Sequence, residues 1–327
     1  MKIFLTGANG FIGSHILDKL RDAGMEVRLL LRETSDTSLI EHHLPDVEVV
    51  YGTLEDFKGL REAVDGVDYV IHCAGKTKAL RNKEYFDVNT AGTRNLVEAV
   101  NHYSDSIKQF ILVSSQAVNG PSTTKRPAEE SNTPDPISIY GQSKLLGEQE
   151  VTMGCEIPWT ILRPSAVYGP GDTDFLSAFR AVKHHVKPLF NGGKQQISLV
   201  YGPDVARAVM ACLGEPKAFG EVYNIASPTP CTTGELMTTI GRQLGVWTIP
   251  LPIPAFALLL MCIVREIIAK VTCKPSILSR EKYRELKAPG WVTSVKKVEN
   301  ALGFVADTTL KQGIADTIRW YRQNGWL

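Results

Sequence analysis

From residue 1 to about 165, short apolar runs alternate with longer segments of helical periodicity, and this rhythm restricts the fold more than any other property of the chain. "KIFLT", "VRLLL", "VEVV", "VDYVIHCAG", "KQFILVSS" and "PWTILRP" are short runs rich in β-branched residues or leucine, which predicts strands. Between them "FIGSHILDKLRDAG", "FKGLREAVDG", "DVNTAGTRNLVEAVNHY" and "YGQSKLLGEQEV" predict helices. Strands that are apolar on both faces and are separated by helices belong in a parallel sheet covered on both sides, a doubly wound α/β domain. Ligands of such a sheet bind at the carboxyl ends of its strands.

After residue 165 the rhythm gives way to Gly and Pro punctuation at "YGPGD", "NGGK", "YGPD" and "SPTP", followed by an apolar segment and a final helix "LKQGIADTIRWYRQNGWL". Residues 1–165 are therefore expected to form the nucleotide-binding unit and 166–327 mainly a smaller substrate lobe. "GEVYNIAS" still reads as a buried strand, so sheet segments are expected to return near 197–226 and the two regions to interleave. The 327 residues are 43% apolar and 22% charged, with a net charge of +1 and no block of like charge, which offers no footprint for nucleic acid or an anionic membrane. A small molecule is the expected partner.

Six cysteines, at positions 73, 155, 212, 231, 262 and 273, show no C-x-x-C pair, and they read as reduced thiols of a cytoplasmic protein. "MKIFLTGANGFIG" lacks the basic, apolar and small-residue regions of a signal peptide and reads as a buried strand. The run 252–264, "PIPAFALLLMCIV", is followed at once by Arg265 and Glu266 and falls short of the ~20 apolar residues a bilayer span needs. A buried lobe helix is the expectation for it, ahead of a peripheral membrane contact or an apolar substrate wall. His15, His72 and the pairs His42, His43 and His184, His185 have no metal-ligand spacing, and no metal is expected.

The turn "TGANGFIG" places Gly7, Gly10 and Gly13 between the first strand and the first helix. Glycines there let the backbone bend tightly and approach a pyrophosphate, which then meets the free N–H groups and positive end of the helix. In this G-x-x-G-x-x-G spacing, and through "VDYVIHCAG", "DVNTAGTRNLVEA", "FILVSSQAVNG", "YGQSK", "RPSAVYGPGD" and "PDVARAV" in order, the chain resembles the extended short-chain dehydrogenase/reductase superfamily.

The resemblance implies a Rossmann-type fold and a nicotinamide cofactor touched by Thr6, Gly7, Asn9, Gly10, Phe11, Ile12 and Gly13 of the turn. It adds Ala74, Gly75 and Lys76 after the fourth strand, Asn89, Ser114, Pro164 and Val167. Where NAD-specific members carry Asp at the end of the second strand, this chain has Leu31 followed by Arg32, which favours NADP over NAD unless Arg32 is simply a solvated residue. Thr53 stands where relatives carry the aspartate that meets the adenine, and Leu54 keeps the apolar contact, with its backbone as the substitute partner.

Tyr140 and Lys144 are four apart on a helix, hence on one face, where a lysine can hold down a tyrosine's pKa of ~10 and bond the nicotinamide ribose. The resemblance makes Ser115, with Ser114 as the alternative, the hydroxyl that orients the substrate oxygen, Tyr140 the proton donor or acceptor, and Lys144 its electrostatic helper, with Tyr140 and Lys144 also touching the cofactor. Gln116 and Ala117 stand where dehydratases carry an acidic pair, and no arginine lies between Lys194 and Asp204 to grip a sugar-nucleotide diphosphate. The expectation is an oxidoreductase acting on a largely apolar ketone or secondary alcohol, similar to dihydroflavonol reductases and 3β-hydroxysteroid dehydrogenases. A nucleotide-sugar epimerase with tightly bound NAD and a non-catalytic NAD(P)-binding protein are the alternatives. Many such relatives dimerise, so a homodimer is among the implied assemblies.

Overall fold

The structure is a computed structural model describing residues 1–272 and 280–327. Its centre is a parallel sheet of β1 (Lys2–Thr6), β2 (Glu26–Leu31), β3 (Glu48–Tyr51), β4 (Tyr69–His72), β5 (Gln109–Val113) and β6 (Trp159–Pro164). Helices α1 (Phe11–Asp22), α2 (Phe57–Val64), α3 (Lys83–Phe86), α4 (Gly92–Asn101) and α5 (Ile139–Gly154) alternate with these strands, and a wider π-type turn over Asp87–Ala91 joins α3 to α4.

Period-two alternation explains why the middles of these strands are largely apolar on both faces. Ile3 and Leu5 of β1, Ile71 of β4 and Ile111 of β5 point into one core, with Leu17 of α1. Phe4, Val70 and Phe110 point into the opposite core, with Leu60 of α2 and Leu96 of α4. Neither face can be polar, as the sequence predicts.

Beyond Pro164 come β7 (Ala166–Tyr168), α6 (Leu176–Lys183), β8 (Val186–Phe190), β9 (Gln196–Ile197), β10 (Leu199–Tyr201), α7 (Gly202–Cys212) and β11 (Glu221–Ile225). The chain ends with β12 (Cys231–Thr232), α8 (Thr233–Leu244), β13 (Ile249–Ile253), α9 (Ala255–Thr272), α10 (Arg280–Lys287), β14 (Gly290–Trp291), α11 (Lys296–Leu302) and α12 (Leu310–Gln323). The strand from "GEVYNIAS" returns to the main sheet, whose order is β11-β6-β5-β4-β1-β2-β3, and Val205 and Val209 of α7 join the α1 side of the core. A third core holds Phe179 of α6, Ile240 of α8 and Ile318 of α12 beneath the lobe. Cys73, Cys155, Cys212, Cys231 and Cys262 are free thiols, and Cys273 lies outside the described residues.

One expectation is corrected. The apolar segment forms α9, but only one of its sides is buried: Leu258, Cys262 and Ala269 face inward. Phe256 is 76% exposed, Leu260 60%, Ile267 56% and Val271 79%, and Met261, Val264 and Ile268 lie on the same outer side. Composition foretold an apolar helix. It could not reveal that, among the described residues, its outer side is left uncovered, leaving several side chains without the ~1.5–3 kcal/mol each gains on full burial. Among the described residues no helix is long and apolar enough to cross a membrane.

The two sides of α9 should respond differently to truncation. Leu258→Ala is expected to destabilise by ~2–5 kcal/mol, and Leu260→Ala to stay within ~0.5 kcal/mol. Urea midpoints of the two variants measure the difference, and equal losses would show that both sides are packed.

Candidate active site

The glycine turn is built so closely that side chains are excluded. Gly7 has φ of +74°, and a Cβ there would lie 2.5 Å from the Ala74 nitrogen. A Cβ on Gly13 would lie 2.0 Å from the Gly7 carbonyl oxygen. Gly10 caps α1 with no side-chain acceptor, and the first turn holds no acidic residue, so its N–H groups are left for an anion. The residues present fit a dinucleotide pyrophosphate.

Around this cradle, the structure distributes the expected cofactor residues between its surface and its support. Thr6 is fully buried beneath it, its Oγ1 2.7 Å from His72 Nδ1 and accepting the Ala74 N–H at 3.2 Å. Asn9 donates to the Asp36 carbonyl at 3.1 Å, tying the turn to the loop after β2, where Arg32 is exposed. Phe11 and Ile12 are half-buried, Phe11 meeting His15 edge-on. The Thr53 hydroxyl accepts the Glu55 N–H at 3.3 Å, and the Leu54 carbonyl accepts from Asn95 at 2.8 Å, so that backbone acceptor is already engaged. Pro164 is buried at the end of β6, paired with Ile225, while Val167 is half-buried in β7.

Asn89, expected to touch the cofactor, acts as a tie between two elements of the site. It is 1% exposed, accepts the Lys76 N–H at 2.7 Å, and donates to the Lys76 carbonyl at 3.0 Å and to Ser143 Oγ at 2.9 Å. Its amide thereby fastens the loop after β4 to α5, and the Lys76 ammonium is directed to Glu84 at 2.5 Å. Close packing repeats the connection: a Cβ on Gly147 of α5 would lie 2.3 Å from the Asn89 carbonyl oxygen.

The two adjacent serines separate cleanly. Ser115 caps the turn after β5, its Oγ accepting the Ala117 N–H at 3.1 Å, and its hydroxyl is close enough to the Tyr140 phenol to favour that group's ionised form. Ser114 points the other way, donating to Glu148 Oε1 at 2.5 Å within the buried support. Ser115 is thus the hydroxyl in the site, and Ser114 belongs to the support. Sequence reading missed this support: Glu148, four residues beyond Lys144, is gripped by Arg163 through Nε at 2.9 Å and Nη2 at 2.6 Å. Arg163 Nη1 also donates to Asn119 at 2.7 Å.

Lys144 is 5% exposed, and its Nζ donates to the Val113 carbonyl at 2.9 Å. Burial lowers its pKa to about 8, opposed by the charges of Cys73 and Glu148. A Cβ on Gly75 would stand 3.8 Å from this Nζ, so the ammonium borders the strand end expected to pass under the cofactor. Burial raises Tyr140 to about 12, the nearby Ser115 hydroxyl being the main opposing influence. The expected lowering by Lys144 does not figure among the influences on the phenol, and desolvation sets the direction. His72, pushed down to about 3 by burial and then by the Lys144 charge, stays neutral between Thr6 and Thr93.

Folding also gathers residues the sequence kept apart. His43 Nε2 lies 2.7 Å from Asp18, with His42 at 3.6 Å and His15 at 3.8 Å. On the lobe side, Glu285 of α10 adds its negative charge to the surroundings of Tyr140. Gln195 Nε2 lies within 2.8–3.2 Å of the Glu285, Leu286 and Ala288 carbonyls, which fixes the end of that helix. Apart from the i,i+3 pair His15–Asp18, no spacing in the sequence signals these contacts.

Comparison with known proteins agrees with this geometry. The model of the NAD dependent epimerase/dehydratase family matches residues 3–226. A ceramide reductase of Caulobacter vibrioides is 28% identical over 99% of this chain and 96% of its own. A putative UDP-glucose 4-epimerase of Methanocaldococcus jannaschii is 28% identical, covering 98% of this chain and 99% of its own. The crystal structure of a UDP-glucose 4-epimerase from Thermotoga maritima superposes with a TM-score of 0.80 over 99% of both chains, at 22% identity, and so shares the fold.

The buried ammonium yields a stability prediction. Because the Lys144 pKa falls from the ordinary 10.5 to about 8 on folding, the unfolded chain binds the extra proton between those values. The penalty, on the order of 3 kcal/mol, is full below pH 8 and fades as pH rises towards 10.5. Lys144→Met is expected to raise the ligand-free melting temperature by a few degrees at pH 7 and by much less at pH 10. A melting temperature lowered at both pH values would show the ammonium to be net stabilising.

Proposed function

The chain belongs to the NAD-dependent epimerase/dehydratase family, and we propose that within it the protein is an NADP(H)-dependent oxidoreductase acting on a ketone or secondary alcohol of a largely apolar substrate. The observation that carries this reading is that α5 places Tyr140, whose ionisation Ser115 of the turn after β5 favours, one helical turn from the buried Lys144 ammonium beside Gly75.

When bound, the nicotinamide supplies or accepts the hydride. The Gly7–Gly13 turn, the first-turn amides of α1 and the Ala74–Gly75 strand end would hold the dinucleotide. The chain's own residues manage the proton and the substrate oxygen. Ser115 orients that oxygen, and Tyr140 donates its phenolic proton to it as the carbonyl becomes an alcohol. With a pKa raised to about 12, the phenol is protonated at neutral pH, which suits a donor and hence the reductive direction. Lys144, still largely charged at neutral pH, stabilises the phenolate left behind.

Arg32 supports NADP(H): it is exposed at the end of β2 directly after the buried Leu31, where a carboxylate reading the ribose hydroxyls would stand. An apolar substrate is supported by the likeness to a ceramide reductase, whose named substrate is a lipid. A cavity of about 480 Å³, lined by Leu189, Ile253, Leu258, Tyr283 and Leu286 among others, adds to this support because α10 contributes both to its wall and to the surroundings of Tyr140. The epimerase relative favours a second reading, in which the hydride returns to the same substrate and no cofactor is consumed.

Two experiments decide between these readings. With NADPH deuterated at the transferring position of C4, a reductase yields labelled alcohol and NADP⁺ in equal amounts, whereas an epimerase turns over without net NADP⁺. Tyr140→Phe is expected to lower kcat by ~10²–10⁴-fold, and full activity would remove Tyr140 from the chemistry. For the cofactor, Arg32→Ala is expected to raise the NADPH KM by ~10-fold or more through loss of a charge-assisted contact, with little change for NADH. Equal effects on both would reverse the preference.

A further inference from the structure

The outer side of α9 has no role in hydride transfer, yet it is the largest run of exposed apolar side chains on the described residues. At 3.6 residues per turn, Phe256, Leu260, Met261, Val264, Ile267, Ile268 and Val271 share one arc of the helix, and no charged residue falls within it. Arg265 is exposed at its edge, and Glu266 lies on another side, paired with Arg280. The 18 residues make a helix ~27 Å long at ~1.5 Å per residue, and the incoming segment adds exposed Trp247, Ile249 and Leu251.

Charge identifies the occupant. Residues 245–291 contain seven Lys/Arg (Arg265, Lys270, Lys274, Arg280, Lys282, Arg284, Lys287) against three Glu (Glu266, Glu281, Glu285), a net +4. The rest of the chain, with 29 Lys/Arg against 32 Asp/Glu, carries −3. Arg284 and Lys287 of α10 are exposed like Arg265. A second copy meeting this face would bring two such positive segments together, whereas an anionic lipid surface offers the opposite charge and asks only for apolar side chains on the inserted side. An apolar arc, flanking cations and an exposed tryptophan are the features of a helix lying in the plane of a bilayer interface.

We propose that the outer face of α9 docks on an anionic lipid bilayer, with the helix parallel to the surface and Arg265 and the α10 cations at the headgroups. Docking stands on this face alone. Its consequence for catalysis rests on the reading of an apolar substrate: the inner side of the same helix contributes Leu258 to the cavity shared with α10, so a docked protein takes up its substrate from the lipid phase.

The test is co-sedimentation of the full chain with vesicles of phosphatidylcholine alone or with 30% phosphatidylglycerol. Wild type is expected to pellet with the anionic vesicles, less so at 0.5 M NaCl, and at least tenfold more weakly as Leu260→Glu/Ile267→Glu. Both substituted side chains face solvent, so the variant should melt like wild type and keep its turnover of a short, water-soluble ketone. Wild type remaining in the supernatant, or a variant that binds equally well, overturns the proposal. A dimer in sedimentation velocity that the double variant dissociates overturns it in favour of a second copy. Vesicle binding without any hydride transfer would leave docking standing and reject the oxidoreductase reading instead.

Discussion

Burying the Lys144 ammonium is the constraint around which the site is organised. A cation almost out of water needs compensation within a few ångströms, and the structure supplies it from two directions. The Val113 carbonyl at the end of β5 accepts its hydrogen bond, and Glu148, four residues along the same helix, supplies the opposing charge. Glu148 in turn needs a partner in the interior, and Arg163 of β6 grips both of its oxygens. Such a pair adds little net stability over apolar packing, but losing one member strands the other charge, so the arrangement fixes where α5 lies against β5 and β6. Tyr140 is placed by that fixing.

The second requirement is that α5 and the glycine cradle keep their relative position, since one carries the proton and the other would hold the dinucleotide. Asn89 provides this through three hydrogen bonds, two to Lys76 and one to Ser143, while the absence of a side chain at Gly147 lets α5 press against the Asn89 backbone. Thr93 continues the chain of contacts through the neutral His72 to Thr6 beneath the turn. The interior between cradle and catalytic helix is thus polar and almost fully paired, an arrangement that holds a geometry firmly because each broken contact leaves a buried group unsatisfied.

Much of this was legible in the sequence because it is local or periodic. Every strand of the sheet was foretold by an apolar run, since a strand buried on both faces must be apolar throughout. The glycine turn was foretold by its spacing, and Tyr140 and Lys144 by the helical repeat. Ser115 was preferred over Ser114 by its place in the motif, but only the tertiary surroundings, Glu148 beside Ser114 and Tyr140 near Ser115, show how differently the two are placed. The sequence placed Asn89 near the fourth strand but held no signal of its ties to Lys76 and Ser143. Arg163 was read only as part of a strand, and Gln195, ninety residues from the Glu285 carbonyl it meets, had no local signal at all. The exposure of α9 was misjudged for the same reason: hydropathy records which side chains avoid water, not whether a neighbour exists to cover them.

The lobe is joined to the chemistry mainly through the end of α10. Gln195 fastens that end, and the Trp291 indole donates to the same Glu285 carbonyl at 3.0 Å. Glu285 itself bears on Tyr140, and its direction is unfavourable to ionisation, because a negative charge beside a phenol raises its pKa. Any movement of α10 away from the site would therefore weaken one of the influences that keep Tyr140 protonated. The helix that lines the cavity thus also carries the Glu285 charge that bears on Tyr140.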